Sequence, residues 1–365
     1  MAKIKYGTNE RQKKYFLEKV KPIEVKKKSL SQLLSEMTNT GFQGRKLGEI
    51  VDVWDDMTKD KNVTIVMGYA ASLSTTGQWK IIKWLIENRF IDILVSTGAN
   101  VSEDIVDGMG YPYWKGDHRV NDAALLEADI NRYYDVFGSD MEYMEMIDLI
   151  GEFFTTLDSK YKYSTREFLY LFGRWLDKKK IDSIVTTAAK NKVPVFCPAI
   201  VDSAYGDGAL IAKRKGIDIT IDSVKDYAEF MKLGEKMKDV GVIYIGGGVP
   251  KDFIQLLAVS SILMYDDKKQ GQRAGGMFRP TTKEYFYPHK YAIQITTDAP
   301  HWGGLSGCTF EEATSWGKER AGGKNVACYA DATIALPIVT HALNERISKR
   351  PAPPDFSWFF KDLDK

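Results

Sequence analysis

Six short apolar runs recur from residue 62 onward, and most stop at small or polar residues: "NVTIVMGY" (62–69), "IDILVSTG" (91–98), "VPVFCPAI" (193–200), "VGVIYIGGG" (240–248), "YAIQITTD" (291–298) and "NVACYAD" (325–331). Several are rich in valine and isoleucine and do not alternate with polar residues. That is the pattern of strands buried on both faces, as in a parallel sheet. Helical periodicity fills the gaps. In "GQWKIIKWLIENRF" (77–90), Trp79, Ile82, Leu85 and Ile86 share one side, and "SVKDYAEFMKLGEKMK" (223–238) repeats the pattern. Strand and helix in alternation predict an α/β chain: a Rossmann-like open, mostly parallel sheet with helices on both faces. Aromatic, helix-prone residues 130–180 predict a helical insertion, in which Ser164 and Glu167 have capping-box spacing.

The ends read differently. Residues 1–30 are rich in lysine and lack a sustained period, so a basic arm is expected, part flexible and part short helix. The prolines of "KRPAPPDFSWFF" forbid a helix through them, and the aromatics there are expected to dock on a neighbour. The N-terminus has no apolar core of the secretory kind, and no run reaches the length of a membrane span, so a cytoplasmic protein without membrane partners is expected. A net charge of +2 argues against a nucleic-acid binder. Cys197, Cys308 and Cys328 are widely spaced and read as reduced thiols. His118, His289, His301 and His341 show no ligand spacing, so no metal site is expected.

In an open parallel sheet, ligands gather at the carboxyl ends of the strands. The residues following the strands here are "YAASLSTTG" (69–77), "STGANVSEDI" (96–105), "IVDSAYGDG" (200–208), "IGGGVPKDF" (245–253), "TTDAPHWGGLSG" (296–307) and "YADAT" (329–333). Glycines let a backbone approach a ligand, and helix starts favour phosphate, so several such loops on one edge suggest a nucleotide. The GxGxxG fingerprint is absent after the first strand. Glu103, Asp202, Asp207 and Asp331 follow strands, where an isolated acid is most often a helix cap. In "EEATSWGKER" (311–320), helical geometry places Glu311, Ser315 and Lys318 on one stripe with Glu312 and Trp316 beside it. Charge at this spacing is ordinarily a wet helix face; the adjoining tryptophan is not ordinary there. Together these acids, Trp316 and Lys318 suggest an anionic, aromatic-lined pocket suited to a cationic amine.

The motifs "STGANVSED" (96–104), "DSAYGD" (202–207), "GGGV" (246–249), "WGK" (316–318) and "YADA" (329–332) resemble the deoxyhypusine synthase family, in order, over roughly residues 40–345. The similarity is to its bacterial deoxyhypusine synthase-like branch, some members of which are linked to homospermidine synthesis. The resemblance implies NAD as cofactor, a polyamine substrate, and a homotetramer with active sites at dimer interfaces. It divides the chain into a basic arm and helix (1–40), an NAD-binding catalytic domain (41–345) and a tail (346–365). It also implies that spermidine is oxidised and that a lysine takes its aminobutyl group as an imine before passing it to an acceptor amine. Carried over, Lys318 matches the imine-forming lysine, and partial burial beside Trp316 would favour the neutral amine that this role needs. Asp207, Glu312 and Trp316 match polyamine-holding positions. Thr97, Gly98, Ala99, Glu103, Asp202, Gly246, Gly248, Thr297, Ala330 and Asp331 match NAD-contacting positions, with Ser72 and Thr75 at two more whose side chains differ.

Three departures stand out. Eukaryotic-type members have "KHH" after the glycine run, whose first histidine is a base; this chain has "PKDF", with Asp252 there. An asparagine is replaced by Leu256 and an acid by Leu305. A carboxylate is ordinarily a weaker base than an imidazole, which leaves Asp252 or His301, in a neighbouring loop, as the expected base. The preferred expectation is aminobutyl transfer to a small amine. Modification of a translation-factor lysine and a non-catalytic NAD- or polyamine-binding protein are the other two. In relatives an N-terminal segment can cover a neighbouring active site, a role the lysine-rich arm would share.

Overall fold

The computed structural model describes residues 10–70, 72–264, 286–347 and 349–364. Its strands are β1 (Val63–Tyr69), β2 (Ile93–Ser96), β3 (Trp114–Lys115), β4 (Ile130–Tyr133), β5 (Val136–Ser139), β6 (Lys162–Tyr163), β7 (Val195–Phe196), β8 (Thr220–Ile221), β9 (Asp239–Ile245), β10 (His289–Thr296) and β11 (Glu319–Tyr329). Six of them make one all-parallel sheet in the order β11-β10-β9-β1-β2-β7. Counting only these six, the order is 3-2-1-4-5-6 read from the β7 edge, which puts the topological switch point between β1 and β9.

Both faces of the sheet are covered, as the unbroken apolar runs require. Successive residues point to opposite sides. Ile65 and Met67 join one core cluster, and Val66, between them, joins the other. The helices Phe42–Lys59, Trp79–Glu87 and Ala332–Arg346 pack into the first cluster, and Ser223–Leu233 and Gly248–Ser260 into the second. Trp79, Ile82, Leu85 and Ile86 are the buried residues of their helix, the four that the periodicity selects.

The 130–180 segment is helical only from Asp140. Residues 130–139 form an antiparallel hairpin, β4–β5, which β3 extends to three strands. Tyr134, at φ 60°, begins its two-residue turn. Aromatic and β-branched residues suit a half-buried strand as well as a helix, and that ambiguity hid the hairpin. The helices Asp140–Phe154 and Thr165–Lys178 follow, the second opened by the Ser164–Glu167 capping box.

At the N-terminus, residues 1–9 of the basic arm lie outside the described residues. A short helix, Glu10–Lys13, precedes exposed chain, and Leu30–Met37 docks through Glu345, which accepts from the Leu30 and Ser31 backbone N–H groups. The tail is not helical through its prolines. A short 3₁₀ turn, Ser357–Phe360, buries Phe356 and Phe360 in the second core cluster. No helix among the described residues is long and apolar enough to cross a membrane.

Candidate active site

The turns that leave the carboxyl ends of the strands enclose a cavity of about 580 Å³ at the switch point. Seven of the twelve residues expected to contact NAD line it: Ser72, Thr97, Gly246, Gly248, Thr297, Ala330 and Asp331. Gly246 (φ 73°) and Gly248 (φ 60°) adopt left-handed backbone, which any side chain would strain, as the chain turns from β9 into its helix. Asp331 also caps the helix Ala332–Arg346, accepting from the Thr333 backbone N–H at 2.7 Å. The cap and cavity-lining roles therefore coincide in one residue.

The other five sit around this cavity rather than on its wall. Thr75 is buried, its hydroxyl 3.2 Å from that of Ser72. Gly98 and Ala99 continue the turn after β2, where a Cβ on Gly98 would lie 2.2 Å from Ser203 Oγ. This close approach joins the β2 turn to the β7 turn that carries exposed Asp202. Glu103 is buried, its Oε2 has no partner among the described residues, and burial pushes its carboxyl up to about 7. Asn100, which the motifs did not single out, ties these turns together: its side chain accepts from Leu73 N–H at 3.2 Å and donates to Thr97 Oγ1 at 3.1 Å.

A second cavity of about 250 Å³ lies across residues 300–308 from the first and is lined by Leu305, Cys308, Glu312, Trp316 and Lys318 among others. The helix that contributes Glu312 is shorter than the 311–320 spacing predicts. It runs Phe310–Ser315 and ends where Gly317 takes φ 78°. Gly317 N–H bonds Thr314 O at 3.0 Å and Lys318 N–H bonds Ala313 O at 3.0 Å, the paired closure of a glycine-stopped helix. Lys318 is therefore not on a helix face. It stands in the reversal before β11, its backbone carbonyl held by His289 N–H at 3.1 Å.

From there the Lys318 side chain, 13% exposed, crosses to the helix Gly248–Ser260. Its Nζ is 2.9 Å from Asp252 Oδ1, 3.4 Å from Gln255 Oε1 and 5.8 Å from the centre of the half-exposed Trp316 ring. Leu305 lines this pocket as an apolar wall, and Leu256 lies one helical turn beyond Asp252. His301 is not on the pocket wall; it is exposed and packs against Trp302. Asp207 is also absent from this wall, lying exposed on the helix Ala204–Arg214. Beneath Lys318 the ends of β10 and β11 place His289 Nδ1 3.0 Å from Glu319 Oε1, both residues buried. Sequence reading missed this pair, because two residues thirty positions apart carry no local signal.

Comparison with known proteins gives this geometry its family. The deoxyhypusine synthase family model matches residues 32–343. A probable deoxyhypusine synthase 2 of Methanosarcina mazei is 45% identical over 92% of this chain and 93% of its own. That of Archaeoglobus fulgidus is 44% identical over 84% and 95%. A bacterial deoxyhypusine synthase-like protein, from Elusimicrobium minutum, is 34% identical over 88% and 83%. A crystal structure from Entamoeba histolytica assigned to deoxyhypusine synthase shares the fold, with TM-score 0.60 and 16% identity over 90% of this chain and 97% of that one. The chain belongs to the deoxyhypusine synthase family, whose members are NAD-dependent aminobutyl transferases. The expected bacterial relatives are present, while the archaeal ones reach higher identity.

Proposed function

We propose that this protein uses NAD and Lys318 to move a 4-aminobutyl group from a polyamine such as spermidine to a small diamine, giving a homospermidine-type product. The observation that carries this reading is Lys318 itself: a largely buried lysine between a carboxylate and an indole, in a pocket one loop away from the switch-point cavity. The residues at the sheet edge fit NAD. Two left-handed glycines, a turn that has no room for a Cβ and a buried carboxylate oxygen without a partner form the kind of cradle that a dinucleotide's phosphates and ribose occupy. Thr97, Gly98, Ala99, Glu103, Asp202, Gly246, Gly248, Thr297, Ala330 and Asp331 would hold it, with Ser72 and Thr75 beside them. When bound, NAD supplies the hydride acceptor that makes the donor amine electrophilic.

The chain's own residues do the rest. Lys318 attacks as the free amine, so its proton must leave; Asp252, in hydrogen-bond contact, is the group placed to receive it. Glu312 and the Trp316 ring give the pocket the anionic, aromatic character that holds a terminal ammonium. Leu305 removes a second anionic contact, which favours an acceptor bound at one end only. The reading of a homotetramer with sites between subunits is supported by two facts. Asp207 lies outside the lysine pocket of its own chain, and Val249, Trp302 and Trp316 are exposed on the segments around the two cavities. The second reading, with a translation-factor lysine as acceptor, is favoured by the names of the archaeal relatives, probable deoxyhypusine synthases at 44–45% identity.

Incubation with NAD and spermidine, with and without putrescine, tests the reading by mass spectrometry of the products. Homospermidine is expected only when putrescine is present. Diaminopropane without homospermidine moves the acceptor to protein, and no turnover of spermidine removes the donor assignment.

Glu103 gives a pH signature. A carboxylate that accepts from ribose hydroxyls must be ionised, while burial holds the free protein's Glu103 near 7. NAD affinity is therefore expected to weaken by about tenfold per unit as pH falls below 7, and to level off above it. Titration of NAD against protein fluorescence from pH 5.5 to 8.5 reads this directly. In Glu103→Gln the slope should vanish; a slope that persists assigns the proton to another group.

A further inference from the structure

Lys251 precedes Asp252 on the same helix, but its side chain runs inward and is fully buried. Its Nζ donates to Gln294 Oε1 at 2.9 Å, Leu305 O at 3.2 Å and Cys308 O at 2.8 Å. Three acceptors call for three N–H bonds, which only the ammonium form has. Every contact is neutral: no carboxylate pairs with it among the described residues, although the Tyr244 and Phe310 rings lie 5.6 and 5.9 Å away. Burial holds this lysine below the ordinary range, so its presence costs stability that a methionine would not. The carbonyls it holds account for that cost.

Gln294 completes the device. Its Nε2 donates to Gly246 O and to Ser306 O, both at 2.8 Å. Lysine and glutamine together therefore fasten residues 305, 306 and 308 to the end of β9. These residues divide the two cavities: Ser306 lines the one at the sheet edge, while Leu305 and Cys308 line the one that holds Lys318. On the opposite side a Cβ at Gly247 would lie 2.4 Å from Ser306 Cα, so the segment cannot shift toward the sheet edge.

We propose that Lys251 and Gln294 are positioning residues that hold 305–308 as a fixed partition between the cofactor cavity and the Lys318 pocket, and so set how close an oxidised donor lies to the lysine that captures it. The proposal rests on the aminobutyl-transfer reading for its catalytic consequence. With the partition loosened, water reaches the oxidised donor before Lys318 does. The carbon–nitrogen double bond is then hydrolysed to diaminopropane and an aminoaldehyde, and the hydride taken by NAD is not returned. Coupled turnover leaves no net NADH; this leak leaves one NADH for each diaminopropane.

The test uses the full chain carrying Lys251→Met, with circular dichroism to establish folding and NAD titration to establish cofactor binding. Two readouts are taken. Alkylation of Cys308, the half-buried cysteine of the three, is expected to quicken about tenfold, the factor that losing a net hydrogen bond gives a local opening. Net NADH per diaminopropane, measured with putrescine present, is expected to rise from near zero toward one. A folded Lys251→Met protein with wild-type alkylation and wild-type coupling overturns the proposal. If that variant does not fold, Gln294→Glu decides by the same readouts: it keeps the acceptor for Lys251 and loses the two N–H donors that join Ser306 O of the partition to Gly246 O at the end of β9. If the wild-type protein itself does not turn over spermidine, the functional reading fails, and the partition is judged on Cys308 alkylation alone.

Discussion

Lys318→Arg is expected to lower turnover by at least about a thousandfold while leaving the protein folded and NAD binding intact. Arginine keeps the positive charge, so the contact with Asp252, 2.9 Å away in the wild type, has a replacement and the pocket is not left with an unpaired acid. What arginine lacks is a nitrogen that can shed its proton at physiological pH and form an imine. The variant therefore separates electrostatic from covalent participation. Borohydride added during turnover should leave an aminobutyl adduct on the peptide bearing residue 318 in the wild type and none in the variant. Unfolding free energy should move by less than about 1 kcal/mol, because the charge that faces Asp252 is retained. Full turnover in Lys318→Arg would falsify the covalent mechanism and leave Lys318 as a charge that merely repels or orients the substrate.

The sheet was legible because burial on both faces writes itself into composition. Unbroken Val/Ile runs suit strands covered on both faces, and each of the six predicted runs contains or overlaps a strand of the main sheet. The cavity at the sheet edge was legible for a related reason: a switch-point cavity is walled by the residues just after strands, so locating the strands located the loops. The spacing placed Lys318 on a helix face, whereas the structure places it past the helix end. The signal for its true position was present in "WGK", since a glycine just after the last periodic residue commonly stops a helix. The structure uses that glycine to turn Lys318 away from the helix and across to Asp252.

What stayed hidden depends on contacts between distant residues. Nothing local to Lys251 points to its role, which comes from Leu305 O and Cys308 O, more than fifty residues on. His289 and Glu319 carry no signal in the sequence until β10 and β11 pair in register. Asp207 shows the converse case. Its motif suggests a place beside Trp316, but in the folded chain it belongs to a different surface, near Tyr143. Motif order carries identity; it does not say which residues meet within one subunit.

Removing Arg350 is expected to cost about 3–5 kcal/mol of folding stability, the largest effect anticipated away from the site. Asp92, at the start of the β2 run, is fully buried and faces two arginines. Its Oδ2 accepts from Ile65 N–H at 2.8 Å, and its Oδ1 lies 2.7 Å from Arg350 and 3.0 Å from Arg89. Arg350 also donates to Arg89 O and to Val63 O, so one guanidinium stitches the tail to the entry of β1. Arg350→Met leaves the acid with a single, partly exposed arginine and strands two carbonyls. The consequence should reach the site by packing. The anchored tail places Phe359 against Phe196, which in turn packs at a tilt against Phe253 on the helix that carries Lys251 and Asp252. Urea unfolding of Arg350→Met, alone and with Asp92→Leu, measures the effect. The single variant should lose several kcal/mol, and the double should recover a large part, because no buried charge is then left unpaired. A loss below about 1 kcal/mol in the single variant would mean that Arg89 alone neutralises Asp92 and that the tail is held by its aromatic contacts.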